Sequence, residues 1–449
     1  MKIKIFAGFI SAAVFGCLCA GAESPQIIKV SEIKSGMKGY GLTVFKGTTI
    51  EKFDVEVIDV LKNLMPKQDF ILVRCFHKRL EHANIIQGMS GSPVYIEGKL
   101  AGALSLGLAE FAKDPIAGVT PIESMLDDMR KNLPQETFIP EKNTGSQYQY
   151  CKTPLMASGL TVLSIEKFKA KFDEMGFTFV QAGGRGEASE SGGALKPGSA
   201  VAMDLIRGDL NVSGVGTVTW VDGDNMVVFG HPAFNGGAIS MPMSDAYIHE
   251  IIASSLMSFK LGSPVKEVGT FLQDRPSGVS GKIGRKCDNM ARLNVKVAAN
   301  SGKNVTDYKF EIVDHGSLTP LLLLMSAFNS LNTAEGSAFT QTTLEYGISL
   351  KFKGLDEFRF ADVCQGDNIL DIVMPALMLF NNPFKKLSLE KADFDFAVSR
   401  KKSTAVIETA WPEFVEVKPG GEMIINVLLK PFDEKSAKKQ LSVKIPENL

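Results

Sequence analysis

Phe53, Val55 and Val57 alternate with Asp54 and Glu56, the period-2 pattern of a strand with one face in a core and the other in water. Short runs that read as strands recur through the chain, many of them bounded by glycine. Phe70 to Val73 is another. Val94 to Ile96 and Leu100 to Leu104 flank Glu97-Gly98-Lys99, and Gly216 to Val221 and Met226 to Phe229 flank Asp222-Gly223-Asp224; both sets read as hairpins. Leu293 to Val297, Tyr308 to Val313 and Thr343 to Phe352 read as further strands. With 42 glycines to supply turns and few long helical patterns, the chain is expected to be mostly β.

Helices are expected where the period changes. One lies in VTPIESMLDDMRKNL, with Thr120 as N-cap, Pro121 as first helical residue, Glu123 completing a capping box and Pro134 as its bound. Others are expected at Ser164 to Met175, stopped by Gly176, at Ser244 to Ser258 with Ser244 as N-cap, and at Leu318 to Leu331. The last is too short to span a membrane and reads as a core helix. From about Phe394 the pattern changes again: Thr404 to Thr409 and Met423 to Leu429 are strands of a small C-terminal β-sandwich-like module.

The N-terminus reads as a targeting segment. Lys2 and Lys4 precede the apolar stretch Ile5 to Cys19, and Ala20-Gly21-Ala22 offers small residues for cleavage before Glu23. An exported protein, periplasmic or secreted, is expected, with no integral membrane span after cleavage. Lipoprotein anchoring through Val14-Phe15-Gly16-Cys17 fits less well, because Phe15 suits that motif poorly. Of the remaining cysteines, Cys75, Cys151, Cys287 and Cys364 are widely spaced, which excludes a compact zinc cluster and leaves buried thiols or one or two bridges open. No metal site and no cofactor are expected. At 449 residues, 45% hydrophobic, 22% charged and with a formal net charge of −1, the chain can bury a large core and gives no sign of a nucleic-acid partner.

Residues 85–95, IIQGMSGSPVY, stop an apolar run at two glycines and two serines and resume it at once. One reading is a β-turn with Ser90 and Ser92 capping main-chain groups. The other is a nucleophile. A serine doing acyl transfer needs an exposed bend, a base in reach and N–H groups aimed at the developing oxyanion. Gly88 and Gly91 free the backbone for such a bend, and the N–H groups of Gly88 and Ser90 are the candidate oxyanion donors. Among the five histidines, His77, His82, His249 and His315 read as loop, turn or packing residues. His231 ends a hairpin in VVFGHPAFNGG, where a strand delivers an imidazole into a glycine-rich loop. Asp222 and Asp224 read as a hairpin tip rather than a calcium loop.

The segments IIQGMSGSPVYIEGKLAGAL and KDPIAGVTPIESML resemble the serine-peptidase domain of the stage IV sporulation protein B (SpoIVB) family, and VGTVTWVDGDNMVVFGHP resembles that family's histidine segment. The resemblance covers about residues 40–130 and 210–285. It implies a trypsin-like double β-barrel, with Ser90 as nucleophile and His231 as general base. The chain departs from the family in three ways. Its serine segment precedes its histidine segment, as in a circular permutation. No PDZ-like module stands in front. The family's acidic triad position falls at Cys75, which cannot orient an imidazole as a carboxylate does; Asp245 and Asp274 are the substitutes considered, with a dyad or an inactive site as alternatives.

The organisation expected is therefore a signal peptide (1–22), a serine-bearing barrel half (23–135), a connecting segment with a short helix and a Gly/Ser-rich loop (136–198), a histidine-bearing barrel half with core helices (199–390) and the C-terminal β module (391–449). The expected function is an exported serine endopeptidase acting on a limited set of protein or peptide substrates. The alternatives are a peptidase-fold module that binds peptides or scaffolds envelope proteins without turnover, and a structural protein in which GMSGSP is only a turn. Oligomeric state and cleavage preference are left open by the sequence.

Overall fold

The computed structural model describes residues 26–107, 114–131, 149–150, 153–299, 304–336, 342–365, 369–400 and 402–448. The segment expected to be a targeting signal, Cys151 and Pro134 lie outside them. Two closed six-stranded antiparallel barrels form the centre of the molecule.

The first uses β1 (Lys38–Lys46), β2 (Thr49–Met65), β3 (Gln68–Phe76), β4 (Pro93–Ile96), β5 (Lys99–Gly107) and β6 (Ile116–Pro121), with the short helix α1 (Leu80–Ala83) between β3 and β4. Neighbours run β4-β1-β2-β3-β6-β5, and a β4–β5 pairing closes the ring. The alternation seen in sequence does its work here: Phe53, Val55 and Val57 point into a core shared with Ile71, Val73 and Met89. Glu97 and Gly98, both at positive φ, make the tight turn that lets Ile96 pair with Lys99. Helix α2 (Ile122–Arg130) follows, and β7 (Gln149–Tyr150) adds to β5.

Next come β8 (Thr153–Ser158), α3 (Val162–Glu174) and β9 (Phe177–Gln181), a parallel β-α-β unit on the outer edge of β11 (Asn211–Asp222). The second barrel is built from β10 (Ala200–Gly208), β11, β12 (Asn225–Val228), β13 (Gly237–Ile252), β14 (Phe259–Arg275) and β15 (Gly278–Ile283). Its ring is β10-β13-β14-β15-β12-β11, closed by β10–β11. The sheet continues beyond the barrel through β16 (Met290–Ala299), β17 (Asn304–Val313), β18 (Thr343–Phe352), β19 (Phe358–Gln365) and β20 (Leu389–Ser399), backed by α4 (Thr319–Glu335) and α5 (Ile369–Phe380). Strand β20 lies between β16 and β18, so the large sheet runs on to Ser399.

The stretch expected as a helix at 244–258 is instead strand and loop. Its first part is the end of β13, paired with β14 along almost its whole length. Tyr247, Ile248, Ile251 and Ile252 favour strand, and the long antiparallel ribbon outweighs any local helical tendency. The Ser244 hydroxyl is buried and donates to Asp204 rather than capping a helix. Helix α2 forms, but Thr120 does not cap it. Pro121 occupies the cap position without a side-chain bond, and Glu123 accepts from the Val30 N–H. The C-terminal module is one antiparallel sheet, β21 (Ala405–Pro412), β22 (Glu422–Pro431) and β23 (Ala437–Lys444), in the order β21-β22-β23. No second sheet covers it among the described residues. Three strands leave most side chains of β21 and β23 exposed, and no sandwich forms.

The Gly/Ser-rich loop at 182–198 is pinned. Arg185 reaches Asp204, buried inside the barrel, at 2.5 Å and the Val265 carbonyl at 2.8 Å. The Asp204 carboxylate also takes Arg207, Ser213 and Ser244. A buried carboxylate needs this many partners to offset its lost hydration.

Candidate active site

The barrels meet along a seam, and residues 86–92 are sewn into it carbonyl by carbonyl. The Thr217 hydroxyl donates to the Gly88 carbonyl (2.9 Å), the Thr217 N–H to the Ser90 carbonyl (2.9 Å) and the Thr219 hydroxyl to the Gly91 carbonyl (2.8 Å). Both threonines are on β11, in the other barrel. The Lys260 N–H donates to the Gln87 carbonyl (3.0 Å) and the Gln87 N–H to the Ser258 carbonyl (2.8 Å). Gly91 permits the closest approach: a β-carbon there would lie 2.0 Å from the Thr217 oxygen and 2.5 Å from the Phe229 nitrogen, and its φ is +90°.

The N–H groups of this loop divide in an informative way. Those of Met89, Gly91 and Ser92 go to the carbonyls of Ile86, Leu104 and Met89 at 3.0, 2.8 and 2.9 Å. Those of Gly88 and Ser90 have no acceptor among the described residues. Their peptide planes are fixed all the same. The Gln87 carbonyl is held by Lys260 and the Met89 carbonyl by Ser92, and in a trans peptide the N–H points opposite to its carbonyl. The Ser90 side chain is fully buried, and its hydroxyl makes no hydrogen bond among the described residues; the same is true of Ser92. A buried hydroxyl left this way costs about 1–3 kcal/mol, a state that Thr153, Thr178 and Ser326 share.

His231 arrives from the second barrel two residues beyond the main-chain contact between Gly91 and Phe229. Strand β12 ends at Val228, and Phe229 (φ +67°) and Gly230 (φ +70°) turn the chain sharply so that His231 enters the interior. Thr120, at the end of β6, donates to the Gly230 carbonyl at 2.6 Å and so ties the first barrel to this turn. The ring is 2% exposed, and its Nδ1 sits 2.7 Å from the Pro232 carbonyl. A carbonyl only accepts, so Nδ1 carries the proton and Nε2 is the basic nitrogen. Burial holds the ring pKa down at about 4, with the Pro232 carbonyl pulling weakly the other way. The imidazole is therefore neutral at neutral pH.

The acids considered from sequence secure loops, Asp274 through main-chain N–H groups and Asp245 through a hydroxyl and a main-chain N–H. Asp274 is fully buried and accepts from the N–H groups of Ala233, Phe234 and Gly236 at 2.7, 2.9 and 2.9 Å, shaping the loop that follows His231. Burial pushes its carboxyl up to about 6 against the downward pull of those donors. Asp245 accepts from the Ser191 hydroxyl and the Lys266 N–H and so secures the Gly/Ser-rich loop. Cys75 lies in the apolar core of the first barrel with Val55, Ile71 and Met89. With Cys287 and Cys364 it is a buried thiol.

Two site features escape a reading of the sequence. His315 is buried with its ring edge-on to Phe234, 5.3 Å between centroids, so a second histidine packs on the His231 loop. Lys260 is fully buried in the seam, donating to Thr43 at 2.7 Å and Thr217 at 3.3 Å. A large open groove of about 1100 Å³ lies elsewhere, on the face of β16 to β20, lined by charges of both signs including Arg292, Asp307, Arg359 and Asp393.

Residues 15–126 match the family model of the SpoIVB peptidase, S55. The chain is SpoIVB-like. That family is one of serine peptidases, and the matched stretch, about a quarter of the chain, contains Ser90 and all six strands of the first barrel while ending before His231. A search of curated proteins finds no match. No helix among the described residues of this SpoIVB-like chain is long and apolar enough to cross a membrane.

Proposed function

We propose that the chain is an exported serine endopeptidase that cleaves a limited set of proteins with Ser90 as nucleophile and His231 as general base. One observation carries this reading. The Ser90 hydroxyl has no hydrogen-bond partner among the described residues, and the Gly88 and Ser90 N–H groups of the same loop are held in place with no acceptor among those residues, at the seam where the second barrel delivers a neutral imidazole. In the reaction Ser90 Oγ bonds to the scissile carbonyl carbon while His231 Nε2 takes the hydroxyl proton. The Gly88 and Ser90 N–H groups receive the oxyanion. The proton passes to the leaving amine, and water then releases the acyl group by the same route in reverse. With Pro232 fixing the tautomer in place of a carboxylate, the pair works as a dyad. Burial of Ser90 means the seam loops part to admit substrate, which favours a small substrate set.

The test is a fluorophosphonate probe with mapping of the labelled residue. Wild type labelled at Ser90, no label in Ser90→Ala and at least tenfold slower labelling in His231→Ala support the peptidase. A folded wild type that takes no label at any pH between 5 and 9 removes it. Export is tested by fractionation and N-terminal sequencing, with a mature chain beginning at Glu23 expected.

A second reading has support of its own: the ring has a main-chain carbonyl where a triad has a carboxylate, and Ser90 is closed to solvent. On this reading the seam is a peptide-binding or scaffolding site without turnover. It predicts no label while peptides still bind and protect the seam from hydrogen exchange.

A further inference from the structure

We propose that Lys260 is a positioning residue for the Ser90 loop, fixing the direction of the Gly88 N–H and placing a positive charge beneath it. The inference rests on the reading of Ser90 as nucleophile.

Lys260 touches the loop in three ways. Its N–H holds the Gln87 carbonyl at 3.0 Å, which fixes the peptide plane that carries the Gly88 N–H. Its aliphatic stem lies under Gly88, where an added β-carbon would come within 3.2–3.3 Å of Cβ, Cγ and Cδ, at a φ of +89°. Its Nζ donates to Thr43 on β1 and to Thr217 on β11, and the Thr217 hydroxyl passes the contact on by donating to the Gly88 carbonyl. One residue thus joins both barrels to the peptides flanking Gly88, by its main chain at Gln87 and by its side chain, through Thr217, at the Gly88 carbonyl.

A lysine in this position is costly. Both partners of Nζ are neutral hydroxyls, and burial alone moves the amine down to about 7, with no charged side chain contributing. Methionine would fill the same volume with no such cost. A site that keeps the amine gains something from it, and a charge close to a developing oxyanion is the gain that the position offers. Protonation of Nζ below about pH 7 supplies that charge, whereas His231 stays neutral down to about pH 4.

The experiment measures the rate of fluorophosphonate labelling of the full chain from pH 5 to 9 in wild type, Lys260→Met, Thr217→Val and Thr217→Ser. The wild-type rate is expected to fall as pH rises through about 7. Lys260→Met keeps the main-chain bond to Gln87 but removes the Nζ contacts to Thr43 and Thr217 and the charge, and is expected to label at least about tenfold more slowly at pH 6 and to lose that inflection. Thr217→Val removes the relayed hydroxyl at constant volume and is expected to slow labelling, while Thr217→Ser restores it. Thr217→Val also serves if Lys260→Met does not fold. Wild-type rate and pH profile in Lys260→Met, or in Thr217→Val when that variant must serve, overturn the inference while the Ser90 reading stands. No wild-type label at Ser90 overturns the peptidase reading and this inference with it.

Discussion

Gly91→Ala is expected to be far more damaging than its size suggests. At φ +90° a β-carbon costs roughly 1–2 kcal/mol by backbone strain alone. The new methyl would also lie 2.0 Å from the Thr217 oxygen, 2.5 Å from the Phe229 nitrogen and 3.0 Å from the Phe229 Cα, all of them main chain that cannot rotate away. Overpacking of this kind costs about 1–3 kcal/mol. If the loop retreats to relieve it, the bonds from Gly91 to Leu104 and from Thr219 to Gly91 are lost, at about 1 kcal/mol each. A total of roughly 4 kcal/mol follows. Gly98→Ala is the control: its φ is +79°, but nothing lies within 4 Å of the added methyl, so only the strain of roughly 1–2 kcal/mol remains. Trp220, buried in the apolar cluster between the barrels, reports on the seam by fluorescence once Trp411 is replaced by Phe. Urea unfolding in that background should place Gly91→Ala well below Gly98→Ala. Equal midpoints would refute the close approach on which the site depends.

Three further outcomes follow from the same geometry. Between pH 6.5 and about 4 the unfolded chain binds a proton at residue 231 that the folded chain refuses, so stability falls as pH drops through that window. Urea midpoints at pH 6.5 and 4.5 should show wild type losing about 2 kcal/mol more than His231→Gln; equal losses would mean the ring is not held neutral. Asp274→Ala strips three buried N–H groups of their acceptor and should cost at least about 3 kcal/mol and slow labelling of Ser90, read by thermal unfolding and probe kinetics; a neutral effect would put the loop's shape elsewhere. Cys75→Asp restores an acid at the family position but buries it among Val55, Ile71 and Met89, so it should destabilise by more than about 3 kcal/mol and leave labelling no faster; faster labelling would place residue 75 within reach of the ring.

What the sequence disclosed depended on how local the cause was. Strand alternation at 53–57 and tight turns at Gly98 and Gly223 are written in neighbouring residues and appear as read. The start of α3 is expected at Ser164, two residues late, although its cap is equally local, with Thr161 accepting from the Ser164 N–H one turn on. Thr120 misled because its hydroxyl is claimed from a distance, by the Gly230 carbonyl. The 244–258 stretch misled for the same reason, since its conformation is set by β14. Lys260 runs against pattern altogether. Alternation along Phe259-Lys260-Leu261 would turn the two apolar residues inward and the lysine out, yet at the barrel seam Lys260 is the buried one and its neighbours are only partly covered. Asp274 shows the remaining limit. Its position could be marked as a candidate, but whether a carboxylate on a long strand meets a ring or a main chain depends on how β13 and β14 bend, which no short window encodes.

Chain order matters less to this site than the hairpin formed by β11 and β12. The two barrels belong to separate sheets and meet through loops, side chains and short main-chain bridges and not through a shared ladder. Thr217 and Thr219 on β11 receive the carbonyls of Gly88, Ser90 and Gly91, and β12 then leads straight into Phe229, Gly230 and His231. The Asp222–Asn225 turn and the pairing of Val218 with Val228 fix how far those two functions lie apart. One hairpin therefore both takes hold of the serine loop and delivers the imidazole. Its register sets their spacing whether the serine barrel is made before or after it, provided that the connection from Pro121 to Ala200 is long enough to pass from one barrel to the other. A serine segment placed ahead of its histidine segment is for this reason compatible with the same chemistry, and the constraint that cannot be relaxed is the hairpin's register.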